Sequence, residues 1–140
     1  MQYGDISNIP SPAIILNADL LLTIQKKWFG LRSEMHFLLP TRQLLEQWFR
    51  GELSIYIVCI GEYAKEKERV QKLFDTFFVP YSDIITIYDA NNLNYLIAAQ
   101  HVLGYFYFEN TLVNVRTNKR KYYQVPNLAE VGYILEGGHR

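Results

Sequence analysis

Two uncharged apolar runs constrain the fold of this chain more than any other feature. The first, residues 13–16 (AIIL), follows two prolines, and the second, residues 53–60 (LSIYIVCI), ends at Gly61. A segment that is apolar at almost every position is typical of a strand buried on both faces, as in parallel sheets that are covered by helices. The two runs therefore predict central strands of an α/β sheet.

Segments with helical spacing lie between and after these strands. Apolar residues recur every three or four positions over 41–50, which predicts a helix with Thr41 as its N-cap. Residues 24–39 fit neither period and are predicted to form a loop or small flap. A second helix is predicted over 63–78, with a charged beginning. Its spacing assigns these phenylalanines to the core: Phe74, Phe77 and Phe78.

The alternation continues beyond the second helix. A short strand is predicted over 84–88, then a helix that begins at Asp89 or Asn91 and closes at Gly104, then a fourth strand over 105–108. Strands that alternate with helices at short spacing are typical of parallel strands joined by right-handed crossovers. We therefore predict a three-layer α/β/α domain with a mainly parallel central sheet.

Composition narrows the classes of protein to which the chain can belong. It has 140 residues and is 49% hydrophobic, enough for one domain with its own core. The 14 basic and 14 acidic side chains leave no net charge to attract nucleic acid or a membrane surface. The single Cys59 suits a reducing compartment, and no apolar run reaches the ~18 residues of a membrane span, so we expect a cytoplasmic protein without membrane contact. The 11 tyrosines suit contact surfaces, which leaves a protein partner or a homodimer open.

Polar side chains lie where three of the predicted strands end. Asn17 and Asp19 follow the first strand, Cys59 lies near the end of the second, and Glu109 and Asn110 follow the fourth. The carboxyl ends of parallel strands meet at one edge of a sheet, where open α/β folds bind ligands. We expect these residues to rim one pocket. The alternatives are that Asn17 and Asp19 only close the strand and cap the next loop, and that Cys59 packs in the core as a small apolar residue.

In order and spacing, these strand ends resemble the haloacid dehalogenase (HAD) superfamily of phosphohydrolases, in a small form with little or no cap. In that family the first strand ends in Asp-x-Asp, a nucleophile followed by a proton shuttle; the matching pair here is Asn17 and Asp19. Cys59 falls closest to the family's phosphate-binding Ser or Thr. Glu109 and Asn110 stand where the family has an acidic pair that binds magnesium. The resemblance therefore implies Mg²⁺ held by Asp19, Glu109 and Asn110.

Departures from that family pattern bear on catalysis. The neutral amide of Asn17 cannot form an acyl-phosphate intermediate. Residues 90–94 lack the family's lysine, and an amide replaces one carboxylate of the metal pair. We therefore expect a HAD-like domain that has lost phosphatase activity and binds a small phosphorylated ligand or a protein partner. The alternative is a magnesium-dependent phosphohydrolase of a phosphomonoester or nucleotide, with Asp19 and Glu109 on the metal.

The tail departs from the alternating pattern. Residues 111–125 alternate β-forming residues around a polar turn, which predicts a C-terminal β-hairpin extension. The segment combines cations with aromatic rings: Arg116, Lys119, Arg120, Lys121, Tyr122 and Tyr123. Such a segment can hold phosphates while its rings stack on bases, so a third hypothesis is a nucleic-acid or protein interaction module. The simpler explanation is a hairpin tip that is basic for solubility and protection of the strand edge.

Overall fold

A five-stranded parallel sheet forms the centre of the protein, in a computed structural model that describes residues 11–25, 33–109 and 120–137. From one edge to the other the strands are β5 (Asp83–Thr86), β4 (Ser54–Cys59), β1 (Ala13–Asn17), β6 (Val102–Tyr107) and β7 (Tyr122–Gln124). Each neighbouring pair is parallel. The central strand β1 is buried at every residue, as its uncharged sequence predicts. The predicted α/β fold with a mainly parallel sheet is confirmed.

Within the described ranges, four helices flank this sheet: α1 (Thr41–Arg50), α2 (Lys67–Thr76), α3 (Ala90–Ile97) and α4 (Leu128–Leu135). Successive residues of β1 belong to two different cores, because side chains along a strand alternate between its faces. Ile14 and Leu16 share a core with apolar residues of α1, α2 and α4, whereas Ala13 and Ile15 share one with those of α3. None of the helices in the described ranges is long and apolar enough to cross a membrane.

A small antiparallel hairpin lies between β1 and α1. A 3₁₀ turn at Ala18–Leu20 follows β1, and β2 (Leu22–Gln25) then pairs with β3 (Glu34–Phe37). The predicted loop or flap at 24–39 therefore contains paired strands, while residues 26–32 between them lie outside the described residues. The hairpin follows the central strand and packs against α2, where the ring centroids of Phe37 and Phe74 are 5.0 Å apart.

The ends of α1 and α3 show one wrong and one confirmed capping prediction. Thr41 is the first residue of α1 and not its N-cap; its Oγ1 donates to the carbonyl oxygen of Leu21 at 3.0 Å. This buried bond ties α1 to the turn after β1. Asp89 caps α3 as predicted, since its Oδ1 accepts from the backbone N–H of Asn91 at 2.9 Å.

The second helix is shorter than the sequence pattern predicts. α2 ends at Thr76, and Phe78 then adopts a positive φ of 57°. Phe74 is fully buried, but Phe77 and Phe78 are 44% and 86% exposed. The predicted core position is therefore wrong for Phe77 and Phe78. Both lie beyond the end of α2, so the helical periodicity that would place them on its buried face no longer applies.

After β6 the chain returns to the parallel sheet. The described end of the predicted C-terminal hairpin forms β7, which pairs parallel with β6, with Phe106 opposite Tyr123. The other predicted strand and the turn, residues 111–119, lie outside the described residues, so the hairpin stays a prediction. Gly104, predicted to close a helix, lies inside β6. The rings of Phe106 and Tyr123 stack with centroids 4.9 Å apart, and a Cβ on Gly104 would lie 2.7 Å from Cε2 of Tyr123. The glycine leaves the space that this tyrosine occupies.

Gly104→Ala is expected to destabilise the protein by about 1–3 kcal/mol, because the added methyl group would overpack against the Tyr123 ring. Gly132→Ala is the matched control, since its Cβ would lie 3.5 Å from Cζ2 of Trp48, an ordinary contact. Within a helix such as α4, alanine is also more favourable than glycine by about 0.5–1 kcal/mol. Urea unfolding followed by circular dichroism measures both free energies. Equal stability of Gly104→Ala and the wild type would contradict the packing of β7 on β6.

Candidate functional site

The carboxyl ends of β1, β4 and β6 meet at one edge of the sheet, because β1 pairs with both of the other strands. A cavity of about 370 Å³ lies at this edge. Its polar lining consists of Asn17, Asp19, Thr23, Glu62, Tyr63 and Glu109. Its apolar lining consists of Leu22, Leu38, Ile60 and Phe108, with Gly61 between. The structure thus brings three predicted site residues together, Asn17, Asp19 and Glu109, while Asn110 lies outside the described residues.

Asn17 joins the end of β1 to the segment after β6. Its Nδ2 donates to the carbonyl oxygen of Glu109 at 3.0 Å, which sets the orientation of the amide, because a carbonyl oxygen accepts only from the nitrogen. The side chain is 1% exposed, and no donor among the described residues reaches its Oδ1. Burying an acceptor without a donor costs about 1–3 kcal/mol. Asn17 therefore holds the segment after β6 through Nδ2, while its Oδ1 is left as a buried acceptor without a donor among the described residues.

Asp19 holds the same segment through its carboxylate. Oδ2 accepts from the backbone N–H of Glu109 at 2.7 Å, and Oδ1 accepts from that of Phe108 at 3.3 Å. Burial raises the pKa of Asp19 above its ordinary value of 3.8; the two backbone bonds oppose this shift, and the charges of Glu109 and Glu62 add to it. Because backbone amides engage both oxygens, this carboxylate fastens two strand ends together.

The described lining of the cavity is acidic. Asp19, Glu62 and Glu109 contribute carboxyl groups, and no lysine, arginine or histidine among the described residues lines the cavity. A concave surface with charges of one sign attracts the opposite sign and repels anions such as phosphate. Sequence reasoning missed Glu62, although it lies just after a buried predicted strand, and a position just after a strand is the signal that identified Glu109.

Tyr63 links the β4 side of the cavity to the hairpin. Its hydroxyl donates to the carbonyl oxygen of Leu22 at 2.9 Å, and burial raises its pKa to about 12. At neutral pH the hydroxyl therefore keeps its proton and acts as a donor. Sequence reasoning missed this residue because the predicted helix began there, whereas the chain forms a 3₁₀ turn at Gly61–Tyr63.

Cys59 lies at the end of β4 but not in the lining of the cavity. It is fully buried in the same core cluster as Ile57 and Phe74, and burial raises its pKa to about 11. The thiolate is the reactive form of cysteine, so a thiol with this pKa is a poor nucleophile at neutral pH. This position favours the packing role of Cys59 over a role in holding phosphate.

The described residues do not fit the magnesium site that the family resemblance implies. Among them, no group of three or more His, Cys, Asp and Glu side chains is placed to hold a metal ion. Asn17 is neutral, and backbone amides engage both oxygens of Asp19. Magnesium prefers hard, anionic oxygens in a near-ideal octahedron. Asp19 instead uses its carboxylate to accept the two backbone bonds from Phe108 and Glu109, and the third implied ligand, Asn110, lies outside the described residues.

The described part of the basic segment packs onto the fold beside β6 and the end of α3, and none of its residues is in the lining of the cavity. Lys121 donates through Nζ to two carbonyl oxygens at the end of α3, at 2.9 and 3.3 Å. The hydroxyl of Tyr122 donates to Oδ1 of Asn94 in α3. Arg120 is exposed in the turn before β7, and Arg116 and Lys119 lie outside the described residues. Lys121 and Tyr122 are thus engaged in contacts within the fold, and a nucleic-acid role for the segment stays a prediction.

Comparison with protein-family models, with curated proteins and with solved structures finds no match for this chain. The function is therefore inferred from the geometry of the site. That geometry has two leading features. Three hydrogen bonds join Asn17 and Asp19 with the segment after β6, and the lining of the cavity is acidic.

We expect ionisation of Asp19 to lower the stability of the folded protein. Its pKa is raised in the folded state above the ordinary 3.8, so the folded state keeps the proton at pH values where the unfolded chain has lost it. The contribution of this group to the free energy of unfolding is therefore fully present below pH 3.8 and is lost as the pH rises through the raised pKa.

Urea unfolding of the wild type and of Asp19→Asn across the acidic range measures this contribution, because the other carboxyl groups titrate in both proteins. The difference in free energy, wild type minus variant, is expected to decrease as the pH rises. An increase would mean that the bonds from Phe108 and Glu109 outweigh the burial of Asp19.

Cys59 is expected to resist thiol reagents such as Ellman's reagent in the folded protein at neutral pH. It is fully buried and its pKa is about 11, so labelling requires the chain to open. Labelling rates measured in increasing urea should follow the unfolded fraction. Rapid, stoichiometric labelling without denaturant would contradict this burial.

Proposed function

We propose that this chain is a HAD-like domain that binds a ligand or a protein partner in the cavity at the ends of β1, β4 and β6, without phosphoryl transfer. The observation that carries the proposal is the clamp made by Asn17 and Asp19. Asn17 and Asp19, which stand where the family has its Asp-x-Asp pair, hold the segment of Phe108 and Glu109 with three hydrogen bonds. Side chains used in this way preserve the shape of the cavity and supply no nucleophile.

The order of the strand ends supports the likeness to the HAD superfamily. The family pattern places its motifs at the end of the first strand, of the next central strand and of the last strand. The corresponding strands here are β1, β4 and β6, although β7 follows β6 in the chain; β4 and β6 both pair with β1. Asn17 and Glu109, which stand at the first and last of these motifs, share a hydrogen bond. A common scaffold explains this arrangement, whereas the function must follow from the side chains present.

The side chains present argue against phosphoryl transfer. An amide at position 17 cannot attack phosphorus to form an acyl phosphate. Transfer also depends on positive charge around the phosphoryl oxygens, and the described lining of the cavity supplies Asp19, Glu62 and Glu109 instead. The charge of the site therefore favours binding of another kind of ligand.

The purified protein is expected to hydrolyse neither p-nitrophenyl phosphate nor nucleotides above the background rate with magnesium present, because the site lacks a nucleophile and a cation among its described residues. Phosphate release measured for the wild type and for Asp19→Asn gives the test, and both proteins should match the buffer. Turnover by the wild type that disappears in Asp19→Asn would overturn the proposal in favour of a phosphohydrolase that uses Asp19 and Glu109.

A further inference from the structure

We propose that this cavity binds an organic cation, an alkylammonium or guanidinium group, beside Asn17 and the carboxylates of Asp19, Glu62 and Glu109. The inference rests on the proposed function and deepens it, since it names the class of ligand for the same site. Two independent observations lead to it: a buried acceptor that the described protein groups leave without a donor, and a lining whose described charges are all negative.

The acceptor is Oδ1 of Asn17. The bond from Nδ2 to Glu109 fixes the amide orientation, so Oδ1 cannot become a donor by rotation of the amide without breaking that bond. Asn17 lines the cavity and is 1% exposed. A ligand that satisfies this atom must therefore carry an N–H or O–H donor, and a bare anion cannot satisfy it.

The charge of the lining selects among such donors. Carboxyl groups of Asp19, Glu62 and Glu109 line the same cavity, and no cationic side chain of the described residues lines it with them. A donor that is also positively charged is favoured over a neutral one, because charge-assisted hydrogen bonds are roughly twice as strong. Ammonium and guanidinium groups carry several donors and no acceptor, which matches this set of oxygens.

The remaining walls favour an organic cation over a metal ion. Leu22, Leu38, Ile60 and Phe108 line the cavity beside the oxygens, and these walls offer nothing to a hydrated ion. They suit the methylene stem of an amine, whose burial contributes about 0.8 kcal/mol for each CH₂ group. The volume of about 370 Å³ falls within the ~300–1,000 Å³ of ordinary ligand pockets.

The first experiment titrates the wild-type protein with n-butylammonium and with methylguanidinium at low salt, using calorimetry and ¹H–¹⁵N NMR. The matched probes are n-butanol, which keeps the stem without the charge, and inorganic phosphate. We expect at least one of the two cations to bind and to shift the side-chain amide resonances of Asn17, and neither control probe to do so. Binding should weaken as salt is added, because the carboxylates of Glu62 and Glu109 are exposed to screening.

Charge-removing variants test the same site without disturbing the core. Glu62→Gln and Glu109→Gln change exposed side chains, and each is expected to weaken cation binding about two- to fivefold, the range of a solvent-exposed ion pair. Glu136→Gln is the control, since this residue is exposed after α4 and is not part of the cavity lining. It should leave the affinity unchanged. Equal affinity of all three variants would overturn the proposed site.

A second arm distinguishes a free amine from a side chain of a partner protein. A blocked Gly-Lys-Gly peptide is compared with n-butylammonium, and its acetyl-lysine form is the neutral control. Binding of both cations supports a partner's lysine as the source, and binding of the amine alone supports a free small amine. If no cation binds at low salt, the inference is overturned, whereas the proposed function fails only if phosphate release is detected in the separate hydrolysis assay.

Discussion

The hydrogen bonds that join Asn17 and Asp19 with the segment after β6 are the contacts on which the site depends. Asp19 and Glu109 are 90 residues apart in sequence, and their bond at 2.7 Å joins the ends of two neighbouring strands. The backbone N–H groups of Phe108 and Glu109 donate to the carboxylate of Asp19, and the carbonyl oxygen of Glu109 accepts from Nδ2 of Asn17. Sheet pairing alone would align β1 and β6, but these bonds also fix the loops beyond them and so the walls of the cavity.

The features that local pattern determines could be predicted from the sequence. The uncharged runs became β1 and β4 because an apolar side chain on both faces requires cover on both faces. The apolar spacing at 41–50 matches α1 at both ends. The meeting of Asn17 with Glu109 followed from topology, since the carboxyl ends of adjacent parallel strands share an edge.

The features that depend on distant partners could not be predicted. Thr41 suits an N-cap by type, but its hydroxyl donates a hydrogen bond to the carbonyl oxygen of Leu21 instead. Gly104 was predicted to end a helix, as glycines often do. It lies instead in β6, where the ring of Tyr123 from the neighbouring strand leaves no room for a side chain. Cys59 lies at a strand end, yet its side chain packs in the core, because side chains alternate along β4 and Cys59 shares the face of Ile57. The role of a single residue of this kind can be assigned only once its neighbours in the packed structure are known.

The central position of β1 also has a consequence for synthesis of the chain. β1 is synthesised before both of its partners, and the second of them, β6, is made only after α3. Until then, one edge of a fully apolar strand has unpaired backbone groups, although β4 already covers the other. Such edges pair readily with other chains. The nascent protein is therefore open to such pairing until β6 is made, even after β4 has paired with β1, and completion of β6 ends this interval.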